Sequence, residues 1–256
     1  MSLFVQKLGT GPVPVVMLHG WAMHGGLMAP LVEALMPRCT VYAVDLPGHG
    51  NSRASQVPLA PGACAAAIAA LTPPAIWLGW SLGGTIALAA ALEQPQQVRA
   101  LAMLCATPKF TRSDDWPWGS DAMLVRQLAT DLETDYHATI DRFLALEAMG
   151  SADPRAELRH LRELAFARGE PDLRVLQEGI RILDTTDLRA RLPALHQRSV
   201  WITGRRDRLI RPQAMAWSAQ QVHGSYAEID HAGHAPFFSH ADAVVRALEP
   251  LLEHHP

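Results

Sequence analysis

The chain has 256 residues, 49% of them hydrophobic, and a formal charge of -3 at pH 7; that is ample for a packed core and argues against disorder. So small a net charge supplies no global field to recruit nucleic acid or an anionic membrane, and an electrostatic partner must meet a local patch. No apolar run is long enough to span a bilayer as a helix, and Met1-Ser2-Leu3-Phe4-Val5-Gln6-Lys7 lacks the apolar stretch and cleavage site of a secretory signal.

Short apolar runs alternate with longer amphipathic ones, the pattern of strands and helices taking turns around a mostly parallel sheet. In chain order, Val13–Leu18 reads as a buried strand, residues 26–35 as a helix, 40–44 as a strand and 62–71 as an alanine-rich helix. Ala75–Trp80 is the next strand, followed by a helix over Leu82–Glu93 that Gln94-Pro95 stops. Residues 100–105, 199–203 and 226–229 complete the strands, and a last helix begins near Ser239. After Ala106-Thr107-Pro108 roughly ninety residues pass before the next strand, longer than one crossover needs. Helical patterns at 138–149 and 154–166 fall inside that stretch. The expected architecture is an α/β fold with a mostly parallel central sheet flanked by helices. Residues 1–110 and 191–256 form its core, and residues 111–190 form an inserted helical cap over the carboxyl ends of the strands, where open parallel sheets place ligands. Cys39, Cys64 and Cys105 form no CxxC pair and leave an odd number, which suits reduced, buried thiols and a cytoplasmic protein.

The strongest local signal is Gly79-Trp80-Ser81-Leu82-Gly83-Gly84, a G-x-S-x-G between an apolar strand and an apolar helix. A serine on so sharp a turn is held in a strained conformation with its oxygen presented, and bulkier neighbours than glycine would collide. A neutral hydroxyl is a poor nucleophile, so a base must accept its proton, and histidine has the suitable pKa. Among 12 histidines, His234 in Gly233-His234-Ala235-Pro236 follows the last strand, where a nucleophile-acid-histidine order puts the base; His231 is the fallback. Asp207, on the loop after the strand at 199–203, is the candidate orienting acid, with Asp187 and Asp230 as alternatives. The backbone amides of Leu82 and of Trp21, in His19-Gly20-Trp21, are the candidate oxyanion donors, and His19 reads as structural. Gly48-His49-Gly50-Asn51-Ser52-Arg53 lacks the third glycine of a dinucleotide loop. His231 with His234, or His254 with His255, could catch an ion, but no full ligand set appears, so neither metal nor cofactor is expected.

The chain as a whole resembles the α/β-hydrolase superfamily. His19-Gly20-Trp21, the run from Asp45 to Ser52, Gly79-Trp80-Ser81-Leu82-Gly83-Gly84 and Gly233-His234 occur in the family order. Ala75-Ile76-Trp77-Leu78, Asp115-Trp116-Pro117, Arg142-Phe143-Leu144-Ala145-Leu146 with Met149-Gly150, and His234-Ala235-Pro236-Phe237 narrow the likeness. Together they are similar to the BioH-type carboxylesterases of biotin synthesis, which demethylate pimeloyl-acyl-carrier-protein methyl ester. The resemblance implies a monomer that meets an acyl-carrier protein transiently, as substrate. It implies an acyl pocket of Trp21, Trp80, Ser81, Leu82 and His234 with Phe143, Leu144, Ala145, Leu146 and Glu147. For carrier docking it points to Arg142 and to Arg155, Arg159 and Arg162, which recur at helical spacing. A solvated face with Arg159 paired to Glu163 is the other reading of those arginines. The family carries a further arginine shortly before Arg142, where this chain has Ala138. A broad short-chain carboxylesterase, a carbon-carbon hydrolase or lactonase, and a binding protein without turnover are the rival expectations.

Overall fold

The computed structural model describes residues 2–253. Its seven strands are β1 (Phe4–Leu8), β2 (Val13–Leu18), β3 (Cys39–Asp45), β4 (Ala75–Trp80), β5 (Val98–Leu104), β6 (Arg198–Gly204) and β7 (Ser225–Ile229). They make one sheet in the order β1-β3-β2-β4-β5-β6-β7. Every pairing is parallel except β1 with β3. All six residues of central β4 are buried, as a strand covered by helices on both faces requires. Edge strand β7 instead exposes Ser225, Tyr226 and Glu228. The sequence reading passed over β1, because FVQKL has no continuous apolar run; long-range pairing with β3 makes it a strand.

Helices α1 (Ala29–Leu35), α2 (Pro61–Ala69), α3 (Leu82–Glu93), α8 (Pro212–Gln221) and α9 (Ala241–Leu252) flank the sheet. Every residue of α3 from Leu82 to Ala91 is buried, which explains why that helix is apolar all round. Helix α1 starts later than residue 26 because Gly25–Met28 forms a 3-10 turn first, and Pro30 then occupies the first α-helical turn.

Between β5 and β6 are inserted α4 (Ala122–Thr134), α5 (Tyr136–Ala148), α6 (Pro154–Ala165) and α7 (Leu173–Thr185). Each begins at an aspartate, Asp121, Asp135, Asp153 and Asp172, whose side chain accepts a first-turn amide; this satisfies a donor with no carbonyl one turn back. Helices α4 and α7 were not singled out in the sequence. Yet the buried Val175, Leu176, Gly179, Ile180 and Leu183 of α7 carry helical periodicity. No helix among the described residues is long and apolar enough to cross a membrane.

A buried polar clamp ties the insertion to the sheet. Asp45, at the end of β3, is fully buried and pairs with Arg168 at 3.0 Å. It also accepts the amides of Gly25 and Asn51, each at 2.8 Å. Arg168 reaches Gln6 of β1 at 2.8 Å, and the His24 ring bonds the Leu164 carbonyl at 2.8 Å. Removing one member of such a pair leaves the other charge uncompensated, so Arg168→Ala is expected to lose about 3 kcal/mol of stability. A urea midpoint unchanged from wild type would show that the clamp contributes nothing net.

Candidate active site

Ser81 stands between the last residue of β4 and the first of α3. Its φ of 54° and ψ of -121° lie outside the regions an L-residue prefers. The turn tolerates no bulk: a Cβ on Gly79 would run into the Gly83 backbone, and one on Gly84 into the Ala106 side chain. The amide of Ser81 donates to the Leu104 carbonyl at 3.1 Å, and that of Gly84 to the Ser81 carbonyl at 2.9 Å. These bonds hold the strained residue from both sides.

The loop after β7 brings His234 to Ser81, with Nε2 to Oγ at 3.0 Å. The loop after β6 brings Asp207 to the other side of the ring, with Oδ2 to Nδ1 at 2.9 Å. His234 is fully buried, Asp207 is 5% exposed and Ser81 is 8% exposed, so a small opening at the serine leads to an otherwise dry relay. The second oxygen of Asp207 accepts the amides of Leu209 and Ile210 at 2.8 and 2.9 Å. These two amides orient the carboxylate, and the reading of the sequence did not find them. Beneath the histidine, the Trp80 indole donates to the His234 carbonyl at 2.9 Å and packs edge-on against Phe237.

The other candidates have different partners. Exposed His231 bonds Arg206 through Nδ1 at 2.9 Å. Asp230 pairs with Arg205, and Asp187 with Arg189 and Lys109; these bonds hold the Asp187 carboxyl down at about 2, the Arg189 hydrogen bond first among the causes. Buried His19 spans two turns, its Nε2 accepting the Leu46 amide at 2.9 Å and its Nδ1 meeting the Gly20 carbonyl at 2.7 Å. Burial lowers its pKa well below the usual value, so the ring is neutral and structural. Its neighbour His49 is held down at about 4, again by burial.

Cys105, Asp207 and His234 offer donor atoms within 4.8 Å of one another. Both nitrogens of His234 are already engaged, and burial raises the Cys105 thiol well above its usual pKa, which keeps it protonated. These residues do not fit a metal. His254 and His255 lie outside the described residues.

Leu82 opens α3, so its amide has no carbonyl one turn back. Gly20, immediately before Trp21, lies close enough that a Cβ there would come 3.3 Å from the Ser81 Cβ. Leu82 therefore adjoins the serine in sequence, and Trp21 follows a residue packed beside it. The Trp21 indole is committed elsewhere, donating to the Leu176 carbonyl of α7 at 2.8 Å.

A cavity of about 590 Å³ lies beneath the inserted helices, lined by Trp21, Phe143, Ala145 and Leu146 together with Val125 and Leu128 of α4 and Ile180 and Leu183 of α7. The Phe143 ring meets the Trp21 ring edge-on at 4.7 Å. Six of the ten expected pocket residues are not among the lining: Ser81, Leu82 and His234 at the serine turn and its base, and Trp80, Leu144 and Glu147. Trp80 is fully buried under His234. Leu144 borders a separate depression with Ala138 and Arg162. Glu147 is fully buried, and neither carboxylate oxygen has a hydrogen-bond partner among the described residues. Burial, reinforced by Glu157 and Asp207, pushes its pKa well up, so it is a neutral acid.

The four candidate docking arginines also separate. Arg142 is tied to Asp131 at 2.8 Å, and Arg162 grips Asp141 through two nitrogens. Arg155 and Arg159 are exposed on α6, and no ion pair is formed by either; the Arg159–Glu163 pair is absent among the described residues.

The chain matches the alpha/beta hydrolase family over residues 15–247. It is 52% identical over 247 residues to a pimeloyl-[acyl-carrier protein] methyl ester esterase of Xanthomonas campestris pv. campestris (strain B100), covering 96% of this chain and 97% of the relative. A protein of the same description from Stenotrophomonas maltophilia (strain K279a) is 50% identical over 248 residues, covering 96% and 95%. Among solved structures, an esterase from Exiguobacterium antarcticum superposes with a TM-score of 0.86 at 22% identity, covering 98% of this chain and 95% of the other.

Proposed function

This chain belongs to the alpha/beta hydrolase family, and on that premise we propose that it hydrolyses the methyl ester of pimeloyl-[acyl-carrier protein], giving methanol and the carrier-bound free acid. The Ser81–His234–Asp207 relay carries the chemistry, and the relatives at 50% and 52% identity support the substrate. Residues 111–190 act as a cap whose helices cover the acyl cavity.

The reaction is a two-step acyl transfer. Ser81 Oγ attacks the ester carbonyl carbon while its proton passes to His234 Nε2, and the amides of Trp21 and Leu82 hold the oxyanion. Asp207, bonded to Nδ1–H, keeps Nε2 free to accept and stabilises the imidazolium. As the tetrahedral species collapses, the carbon–methoxy bond breaks and His234 returns the proton to methoxide, releasing methanol. Water then gives a proton to His234 and its hydroxide attacks the acyl-enzyme; Ser81 leaves carrying that proton. No step draws on a cofactor. Trp21 lines the cavity and follows Gly20 beside Ser81, so a methylene chain laid along the apolar wall would set the far ester, not the carrier thioester, at the serine.

Docking of the acidic carrier rests on Arg155 and Arg159, which keep free guanidinium groups where Arg142 and Arg162 do not. The Arg155→Ala/Arg159→Ala double variant is expected to lower kcat/KM for the carrier-borne methyl ester roughly tenfold at low salt. Hydrolysis of a small methyl ester is the comparison, and added salt should shrink the difference by screening exposed charge. Equal rates on carrier-borne and small esters in the wild type would reduce the assignment to a broad carboxylesterase.

A further inference from the structure

The cavity wall is apolar, but its rim is not neutral. Four arginines border it, Arg112, Arg142, Arg208 and Arg211, against two aspartates, Asp121 and Asp131. Both acids are already engaged: Asp131 pairs with Arg142, and Asp121 accepts the Met123 amide at the start of α4. Arg112 reaches the Gly119 carbonyl. Arg208 and Arg211 are exposed, and among the described residues their side chains form no hydrogen bond or ion pair. With Arg142 and Asp131 paired, Arg112, Arg208 and Arg211 against Asp121 leave the lining net positive, and Arg208 and Arg211 are the two whose guanidinium groups are free.

These two arginines project from a fixed turn. The backbone between them is pinned where Leu209 and Ile210 donate to Asp207, and the Leu209 carbonyl accepts the Ser120 hydroxyl at 3.1 Å. Pro212 then starts α8. The same carboxylate that orients His234 therefore also positions a pair of guanidinium groups at the cavity edge. Leu124 and Leu146 line the same cavity and add apolar surface to it, 69% and 39% exposed. An occupant that suits both features is an extended apolar chain ending in an anion.

We propose that Arg208 and Arg211 form an anion subsite at the cavity mouth, selecting esters that carry a negative charge at the end of the acyl arm remote from the scissile bond. The proposal rests on the esterase reading of the site and adds a specificity element to it. A carboxylate or a phosphate monoester would meet the same chemistry, because guanidinium groups bind either through charge-assisted, often paired, hydrogen bonds.

Two matched pairs of substrates separate these sources. Monomethyl pimelate against methyl heptanoate reads the carboxylate. The methyl ester of pimeloyl-4'-phosphopantetheine against that of pimeloyl-pantetheine reads the phosphate. In the wild type, kcat/KM is expected to favour the charged member of at least one pair roughly tenfold, mostly through KM. Arg208→Ala/Arg211→Ala should collapse that ratio toward one, and Arg208→Glu/Arg211→Glu should invert it. The pair that responds identifies the anion. A wild-type ratio near one in both pairs, or a ratio that the variants leave intact, overturns the subsite while hydrolysis of the neutral esters upholds the esterase. No hydrolysis of any of the four by wild type overturns the esterase reading itself, and the subsite with it.

Discussion

Replacing Ser81 by alanine is expected to lower kcat about a millionfold, the scale on which serine-triad enzymes respond to loss of the nucleophile. Nothing else described at the site can take its place. The Cys105 thiol is buried and protonated, and the free ring nitrogen of His234 faces Ser81 alone. A second variant separates chemistry from folding. Ser81 holds φ at 54°, a conformation that costs a non-glycine residue about 1–3 kcal/mol. Ser81→Gly should therefore melt higher than Ser81→Ala while being equally inactive. Purified Ser81→Ala retaining more than a hundredth of wild-type turnover would remove the serine from the mechanism, whatever its stability.

Asp207→Asn is expected to cost about 10⁴ in kcat with the fold intact. The direction follows from the two amides on the carboxylate. Leu209 and Ile210 both donate to Oδ1, so an asparagine must place its carbonyl oxygen there and turn its NH2 group toward His234. Nδ1 then becomes an acceptor, the ring proton moves to Nε2, and the nitrogen facing Ser81 can no longer take the hydroxyl proton. The measurement is steady-state kcat beside a thermal melt. A loss smaller than tenfold at unchanged stability would mean that Asp207 does not set the tautomer.

The elements that could be read along the chain are those whose cause is local. The serine turn is contiguous, with apolar β4, a residue that must turn sharply, small glycines and apolar α3, and every part of the argument lies within a few residues of Ser81. The central strands declare themselves because burial on both faces demands unbroken apolar runs. The clamp of Asp45, Arg168 and His24 was invisible as a clamp, since its parts come from β3, the turn before α1, and the inserted segment around α6. Its only trace was a familiar motif around Asp45 with no role attached.

The expected acyl pocket shows the same division on a smaller scale. Phe143 to Glu147 were taken as one wall, yet all five lie in α5, and consecutive residues on a helix point around its circumference. Phe143, Ala145 and Leu146 border the cavity, whereas Leu144 and Glu147, three apart, share another face. That one helix cannot turn all five to the same side could have been read from helical periodicity alone. Which face meets the cavity could not, because it depends on α4 and α7 packing across from it. Trp80 is absent from the lining too, because its indole is held at the His234 carbonyl, a contact that adjacency to Ser81 in sequence does not reveal.

By itself, then, the sequence determined the α/β-hydrolase class and the serine at the turn, and chain order nominated the acid and base. The tertiary structure brought His234, not His231, to Ser81 and Asp207, not its rivals, to His234, and separated free from engaged arginines. The physical reason is one of range. Strand, turn and helix preferences act over a few residues, whereas a proton relay, an ion pair or a cavity wall is made by side chains that folding brings together from distant parts of the chain.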